Sequence, residues 1–318
     1  MKISVIGCGR WGSFIAWYLD RTGHEVTLYA RATSEHMKRF KEERTNGLVT
    51  LPETVRLETN LRTTLESEVI IISVPSQSLR SLMKEIESHG TRNKTFVLCM
   101  KGMEISTGKR LTEVMEEYMD VTSEVAVWLG PGHVQEFYKG IPNCMVIDSR
   151  DEKVKEMLIE SFSSDLIRFY YGNDLIGNEI GGATKNIIGI AAGMLDGLGL
   201  SSLKGALMSR GTREISRLIE AMGGNVLSAY GLCHLGDYEA TVFSSFSHNR
   251  QFGENFVKGE EYSSLAEGYY TVEAIMKISE KHHVDLPICR AVHDVLYGSK
   301  DPKETLNGLF VRSQKEEF

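Results

Sequence analysis

No run in this 318-residue chain is long and apolar enough to cross a bilayer. The most apolar stretch, residues 187–200, is too short and is interrupted by Asp196 and several glycines. Cysteine is scarce: the five residues (Cys8, Cys99, Cys144, Cys233, Cys289) lie far apart and form no C-x-x-C pair. That distribution argues against structural zinc or a disulfide framework and reads as reduced cytosolic thiols. No His/Asp/Glu spacing resembles a metal site. Positive charge is not in excess. A net charge of -7 argues against a general nucleic-acid binder but leaves room for a local basic pocket that takes a phosphorylated metabolite. No signal peptide is read at the N-terminus, because Gly7 and Arg10 break the apolar run there, and a cytoplasmic location is expected. Internal repeats and low-complexity linkers are absent too. What remains, 42% hydrophobic and 25% charged, is the composition of a soluble globular protein with length enough for two separate cores.

The first informative feature is a β-branched run (Ile3, Val5, Ile6) leading into Gly7-x-Gly9-x-x-Gly12 and then a helical run. Glycine provides the tight turn at Gly7, the close backbone approach to a pyrophosphate at Gly9 and the helix–strand packing at Gly12. The pyrophosphate then rests on the N–H groups of the helix start, so a dinucleotide site is expected. Further strands are read at 25–30, 69–75, 95–100, 125–129 and 143–147, with helices between several of them, at 77–88 and 110–118 for instance. This alternation predicts an α/β fold whose N-terminal part is a Rossmann doubly wound parallel sheet. Beyond about Asn173 the strand signals fade, and helices are expected at 174–195, 203–222, 263–282 and 287–297. The expected division is a nucleotide domain over 1–172 and an all-α substrate and catalytic domain over 173–318, with Asn173 or Asp174 capping the next helix.

In such a sheet, ligands bind beyond the carboxyl ends of the strands. Val74-Pro75-Ser76, Lys101-Gly102 and Gly130-Pro131-Gly132 stand at those positions. Lys101 can reach a phosphate or a polarised carbonyl, or can be an ordinary surface lysine. After the second strand, where an NAD site usually carries an acid, the chain has Tyr29-Ala30-Arg31. Arg31, assisted by Arg10, suits the 2′-phosphate of NADP; the plain alternative is a surface loop. In Gly181-Gly182-Ala183-Thr184-Lys185-Asn186 a single lysine opens an apolar helix, with two glycines one turn back. Desolvation there lowers a lysine's pKa toward the range useful for general acid–base work; the alternative is a lysine snorkelling from a core edge. A fourth cluster, Gly236-Asp237 with Ser247-His248-Asn249-Arg250, supplies a carboxylate, a hydroxyl, an amide and a guanidinium that can orient a polyol phosphate; the plain alternative, common for such loops, is a structural one.

Together these segments resemble the bacterial-type NAD(P)-dependent glycerol-3-phosphate dehydrogenases, collinearly and over nearly the whole chain. Asp196-Gly-Leu-Gly199 and Glu267-Gly268 extend the match. The resemblance implies NAD or NADP as cofactor, dihydroxyacetone phosphate and sn-glycerol 3-phosphate as the small-molecule pair, and a role in phospholipid synthesis. It implies Lys185 as general acid–base, and Lys101 and Asp237 as further catalytic residues. Lys101, Gly130, Gly132, Lys185, Asp237, Ser247, His248 and Asn249 would hold substrate. Gly7, Gly9, Arg10, Trp11, Gly12, Arg31, Lys101, Val134, His248, Leu265 and Glu267 would meet the cofactor. The apolar helices of the second half allow a homodimer.

Two segments depart from the family's pattern. Where Gly-Pro-Ser/Thr-Phe-Ala is usual, this chain reads Gly130-Pro-Gly-His-Val134, without the hydroxyl and with His133 in place of an apolar ring. Where Ser-Arg-Asn-Arg is usual, it reads Ser247-His-Asn-Arg250. Histidine is shorter than arginine and only partly charged at neutral pH, which weakens phosphate affinity unless Arg250 compensates. These changes keep open a related dehydrogenase acting on another hydroxy acid or ketone, of ketopantoate-reductase or 3-hydroxyacyl type. A dinucleotide-binding protein without catalysis is the third reading, opposed by the presence of both Lys185 and Asp237.

Overall fold

Strand β1 (Lys2–Ile6) lies inside a sheet because its β-branched residues must be covered on both faces. In the computed structural model, which describes residues 1–311, seven further strands join it. They are β2 (Glu25–Tyr29), β3 (Arg56–Glu58), β4 (Val69–Ile72), β5 (Thr95–Leu98), β6 (Glu124–Leu129), β7 (Asn143–Ser149) and β8 (Ile167–Tyr171). Their order is β3-β2-β1-β4-β5-β6-β7-β8. The chain therefore reverses its winding at β1, whose neighbours are β2 and β4, and that is where a doubly wound sheet opens its ligand crevice. Every residue of β4 is buried, as its unbroken Val-Ile-Ile-Ile run requires.

The sheet is not wholly parallel. β7 runs antiparallel to β6, and β8 is parallel to β7. The link from β6 to β7 carries only the short helix Val134–Tyr138, which does not cross the height of the sheet, so β7 starts at the rim where β6 ends. Strands β3 and β8 had no counterpart in the sequence reading. Both lie at sheet edges, where Arg56 and Arg168 face solvent and break the apolar run.

No strand occurs after β8 among the described residues. The chain instead forms helices Leu175–Gly197, Lys204–Ala221, His248–Lys258, Glu267–His282, Pro287–Leu296 and Pro302–Gly308. Asp174 caps the first of them, accepting the Gly177 N–H at 3.1 Å. Two compact units result. One comprises Met1–Lys101 with Lys109–Glu179, and the other Gly102–Gly108 with the chain from Ile180 onward. The first turns of helix Leu175–Gly197 count with the sheet because Glu179 is tied there. Its buried carboxylate takes Arg110 Nη1 at 2.5 Å, the Thr112 hydroxyl at 2.6 Å and the Thr112 N–H at 3.0 Å. Burial pushes its pKa up while Arg110 and Thr112 pull it back.

In the helical unit, close packing comes from glycine. Gly189, Gly193 and Gly197 recur every fourth residue and so line one face of helix Leu175–Gly197. A Cβ on Gly193 would lie 1.9 Å from the Arg250 carbonyl oxygen, and one on Gly253 would lie 2.1 Å from that of Ile190. Helices Leu175–Gly197 and His248–Lys258 thus meet backbone to backbone, which fixes Ser247, His248 and Asn249 against the helix that carries Lys185.

Candidate active site

The surroundings of the three loop glycines differ. Gly7 has φ +112°, and a Cβ there would strike the Ser73 carbonyl oxygen at 2.1 Å. Gly12 would strike the carbonyl of Gly7 at 1.9 Å, so the helix Arg10–Arg21 sits directly on the turn. At Gly9, the helix N-cap, an added Cβ would meet nothing within 4 Å. No contact among the described residues requires glycine at that position. An open cradle before a helix start, whose first N–H groups lack intrahelical acceptors, fits a dinucleotide pyrophosphate.

Around this cradle Arg10 Nη2 donates to Gln135 Oε1 at 3.2 Å, and Trp11 packs on Phe14 and Phe137 at ring separations of 5.3 and 6.1 Å. Arg31 follows β2 as an exposed side chain. Val134 is buried at the start of its short helix. Lys101 bridges two strand exits, its Nζ donating to the Gly130 carbonyl at 2.6 Å. Gly130 and Gly132 have φ +127° and +137°, and a Cβ at Gly132 would enter the Phe137 ring at 2.2 Å. The hydroxyl that the family carries at this position has no room here. The difference is a coherent local arrangement of loop and ring.

In the helical unit Lys185 and Asp237 form an ion pair of 2.7 Å, with side chains 9% and 1% exposed. Thr241 completes the contact, accepting from Lys185 Nζ at 2.8 Å. The sequence reading missed Thr241. Its signal is the four-residue spacing from Asp237, which puts both on one side of a helical turn. A buried ammonium held by a carboxylate and a hydroxyl is poised to give a proton to an oxygen and take it back. It also resists loss of either partner, because the other would be left charged and buried.

The remaining residues have local duties of their own. Ser247 caps helix His248–Lys258 by accepting the Arg250 N–H at 3.3 Å. His248 Nδ1 meets the Tyr262 hydroxyl. Asn249 is a bridge: its amide donates to Asn186 Oδ1 at 3.0 Å and accepts the Gly268 N–H at 2.9 Å. Leu265 is exposed, and Glu267 begins helix Glu267–His282. Arg250 is committed to acidic partners. Its guanidinium is held by Asp196 at 2.6 Å and Glu254 at 3.0 Å, and Lys204 shares Asp196 at 2.6 Å. Hydrogen bonds from Lys204, Ser201 and Arg250 outweigh the burial that would otherwise raise the Asp196 pKa and hold it below the usual carboxylate value.

Two family models cover almost all of this architecture. That for the N-terminus of NAD-dependent glycerol-3-phosphate dehydrogenase matches residues 2–155, and that for its C-terminus matches residues 174–307. The chain belongs to the NAD-dependent glycerol-3-phosphate dehydrogenase family. It is 34% identical over 335 residues to a glycerol-3-phosphate dehydrogenase (NAD(P)+) of Thermoanaerobacter sp. (strain X514), covering 100% of this chain and 99% of the relative. A protein of the same name from Fusobacterium nucleatum is 35% identical over 331 residues, with the same coverage. Among solved structures, glycerol-3-phosphate dehydrogenase from Coxiella burnetii superposes with a TM-score of 0.91 at 29% identity, over 98% of this chain and 99% of that one. A 2-dehydropantoate 2-reductase from Enterococcus faecalis shares the fold at a TM-score of 0.55 and 16% identity.

Proposed function

We propose that this chain catalyses the reversible NAD(P)H-dependent reduction of dihydroxyacetone phosphate to sn-glycerol 3-phosphate, with Lys185 as general acid–base. The observation that carries the reading is the buried Lys185–Asp237–Thr241 contact in a chain of this family. Reduced nicotinamide, when bound, supplies the hydride. Lys185 Nζ holds the proton that passes to the carbonyl oxygen, and Asp237 and Thr241 aim the ammonium. In the reverse direction Lys185 takes that proton from the hydroxyl.

The division of labour we assign places nucleotide binding in residues 1–172 and proton transfer in residues 173–318. Gly7, Gly9, Arg10, Trp11, Gly12, Arg31, Lys101 and Val134 serve the cofactor from the first part; His248, Leu265 and Glu267 serve it from the second. Lys101, Gly130 and Gly132 also serve the substrate, with Ser247, His248 and Asn249. Arg31 and Arg10 favour NADP. A cytoplasmic location is supported by the five cysteines, which form no disulfide and of which four are buried. A homodimer is proposed from the exposed apolar side chains Leu227 and Tyr230 of the helical unit.

The test is Lys185→Ala, assayed by NADPH oxidation with dihydroxyacetone phosphate and by nucleotide titration. Turnover falls by about 10²–10⁴-fold while nucleotide affinity stays within about twofold. Parental turnover in that variant would remove Lys185 from the reaction. A parent enzyme active only with another ketone would keep the base and change the substrate.

A further inference from the structure

His234 is fully buried, and neither the composition nor the motifs drew attention to it. It immediately precedes the turn Leu235–Asp237 that presents Asp237. Both ring nitrogens are engaged: Nδ1 lies 2.9 Å from the Gly181 carbonyl, and Nε2 lies 2.7 Å from the Tyr238 hydroxyl. The Gly181 carbonyl only accepts, so Nδ1 carries the hydrogen. Nε2 is then an acceptor, and Tyr238 donates to it. Gly181 stands one turn before Lys185 on the same helix, and Tyr238 directly follows Asp237. The imidazole therefore spans the two segments whose side chains form the 2.7 Å pair.

Several features make this span specific. A Cβ at Gly181 would lie 3.0 Å from that of His234, so the ring reaches the helix backbone only because position 181 is bare. The Tyr238 ring packs edge-on to the imidazole at 4.8 Å. Burial lowers the His234 pKa to about 4, and Lys185 adds to that direction while Asp237 opposes it. The ring thus stays neutral across the physiological range and keeps one donor and one acceptor.

We propose that His234 is a positioning residue for the Lys185–Asp237 pair, tying the Asp237 turn to the Lys185 helix through Gly181 and Tyr238. It exchanges no proton with substrate. The inference rests on the assignment of Lys185 as proton carrier and adds a part of the chain that holds it in register. Displacement of a catalytic group by about 1 Å can lower a rate about 100-fold, and this is the scale at stake.

The experiment compares His234→Ala, His234→Asn and Tyr238→Phe in the full chain. In asparagine the amide nitrogen takes the place of Nδ1 and can donate to the Gly181 carbonyl. Each variant is read by kcat and KM with dihydroxyacetone phosphate, and by the rate of reductive methylation of Lys185 followed by peptide mass spectrometry. For His234→Ala, kcat falls about 100-fold with the nucleotide KM unchanged, and Lys185 is methylated about tenfold faster. For His234→Asn at least tenfold of the lost kcat returns, and Lys185 protection returns with it. Tyr238→Phe gives an intermediate loss. Folded His234→Ala protein with parental kcat and parental Lys185 labelling would overturn the proposal. So would a His234→Asn variant that matches the unfolding midpoint of His234→Ala and recovers nothing. A parent chain inactive toward dihydroxyacetone phosphate whose Lys185 labelling still follows this order would refute the substrate reading and leave the tether standing.

Discussion

Gly193→Ala separates the intrinsic preference of a helix from the demands of its packing, because the two act with opposite sign at this residue. In a helix interior, glycine to alanine is worth about 1 kcal/mol of added stability. At Gly193, however, the new Cβ would sit 1.9 Å from the Arg250 carbonyl oxygen and 2.9 Å from the Glu254 nitrogen. Ordinary contact begins near 3.4 Å, so helix His248–Lys258 must retreat by about 1.5 Å, and the obstacle is backbone that no rotamer change can move aside. Overpacking of this kind costs about 1–3 kcal/mol or more. The retreat also strains the Asn249 bridge to Asn186 and the Arg250–Asp196 pair. The expected net effect is a loss of about 2 kcal/mol in urea unfolding. With Ser247 and His248 shifted, kcat/KM falls by roughly tenfold to 100-fold. Gly205→Ala is the control. Gly205 lies in the first turn of helix Lys204–Ala221, is exposed and has nothing within 4 Å of an added Cβ, so the same substitution gains a few tenths to about 1 kcal/mol. If both variants are stabilised alike, the two helices do not meet at Gly193 as described.

Three further outcomes follow from other positions. Gly132→Ser restores the hydroxyl usual in the family but places a side chain at φ +137° inside the Phe137 ring; a lower melting temperature and no gain in substrate affinity are expected, with a loss of about 2 kcal/mol. Glu179→Ala leaves Arg110 buried with Glu113, at 3.4 Å, as its remaining carboxylate among the described residues, and should cost about 3 kcal/mol in urea, whereas the double change Arg110→Met with Glu179→Leu should cost much less. Glu214 accepts the N–H groups of Ile288 and Cys289 at 2.8 and 2.9 Å, and burial raises its carboxyl to about 7. Because the folded state then binds this proton more tightly than the unfolded chain, the contribution is complete below pH ~4.5 and is lost as pH rises through about 7. The loss amounts to about 3 kcal/mol, and Glu214→Gln should flatten the slope of stability against pH in that window.

The parts of the molecule legible in the sequence are those where local chemistry and tertiary role coincide. β4 and the Gly7 turn are of this kind, since an unbroken Val-Ile-Ile-Ile run and a glycine before a helix mean the same thing locally and globally. Lys185 and Asp237 were picked out separately, but only folding shows them in contact. Edge strand β8 was missed because Arg168 and two exposed tyrosines hide its period, and the direction of β7 is set by a link too short to cross the sheet. Arg250 was read as a guanidinium that could serve a substrate phosphate, yet its partner Asp196 lies far earlier in the chain, so composition at the loop could not reveal the pairing. His234 escaped for a similar reason. Its role comes from a bare Gly181 on another helix, and no spacing within its own segment signals that.

The reversed pair of strands, β7 and β8, has a practical corollary. Since β7 runs against β6, the turn after it, around Arg150, emerges at the rim of the sheet opposite the glycine loop. Arg150 there is 61% exposed and pairs only with Glu116 on the surface among the contacts described for it. Sequence drift, an affinity tag or a fluorophore at this turn can be accommodated without approaching the edge where the nucleotide is expected. The reversal thus supplies this enzyme with a quiet side, a natural handle for tethering it to a surface or reporting on it while it works.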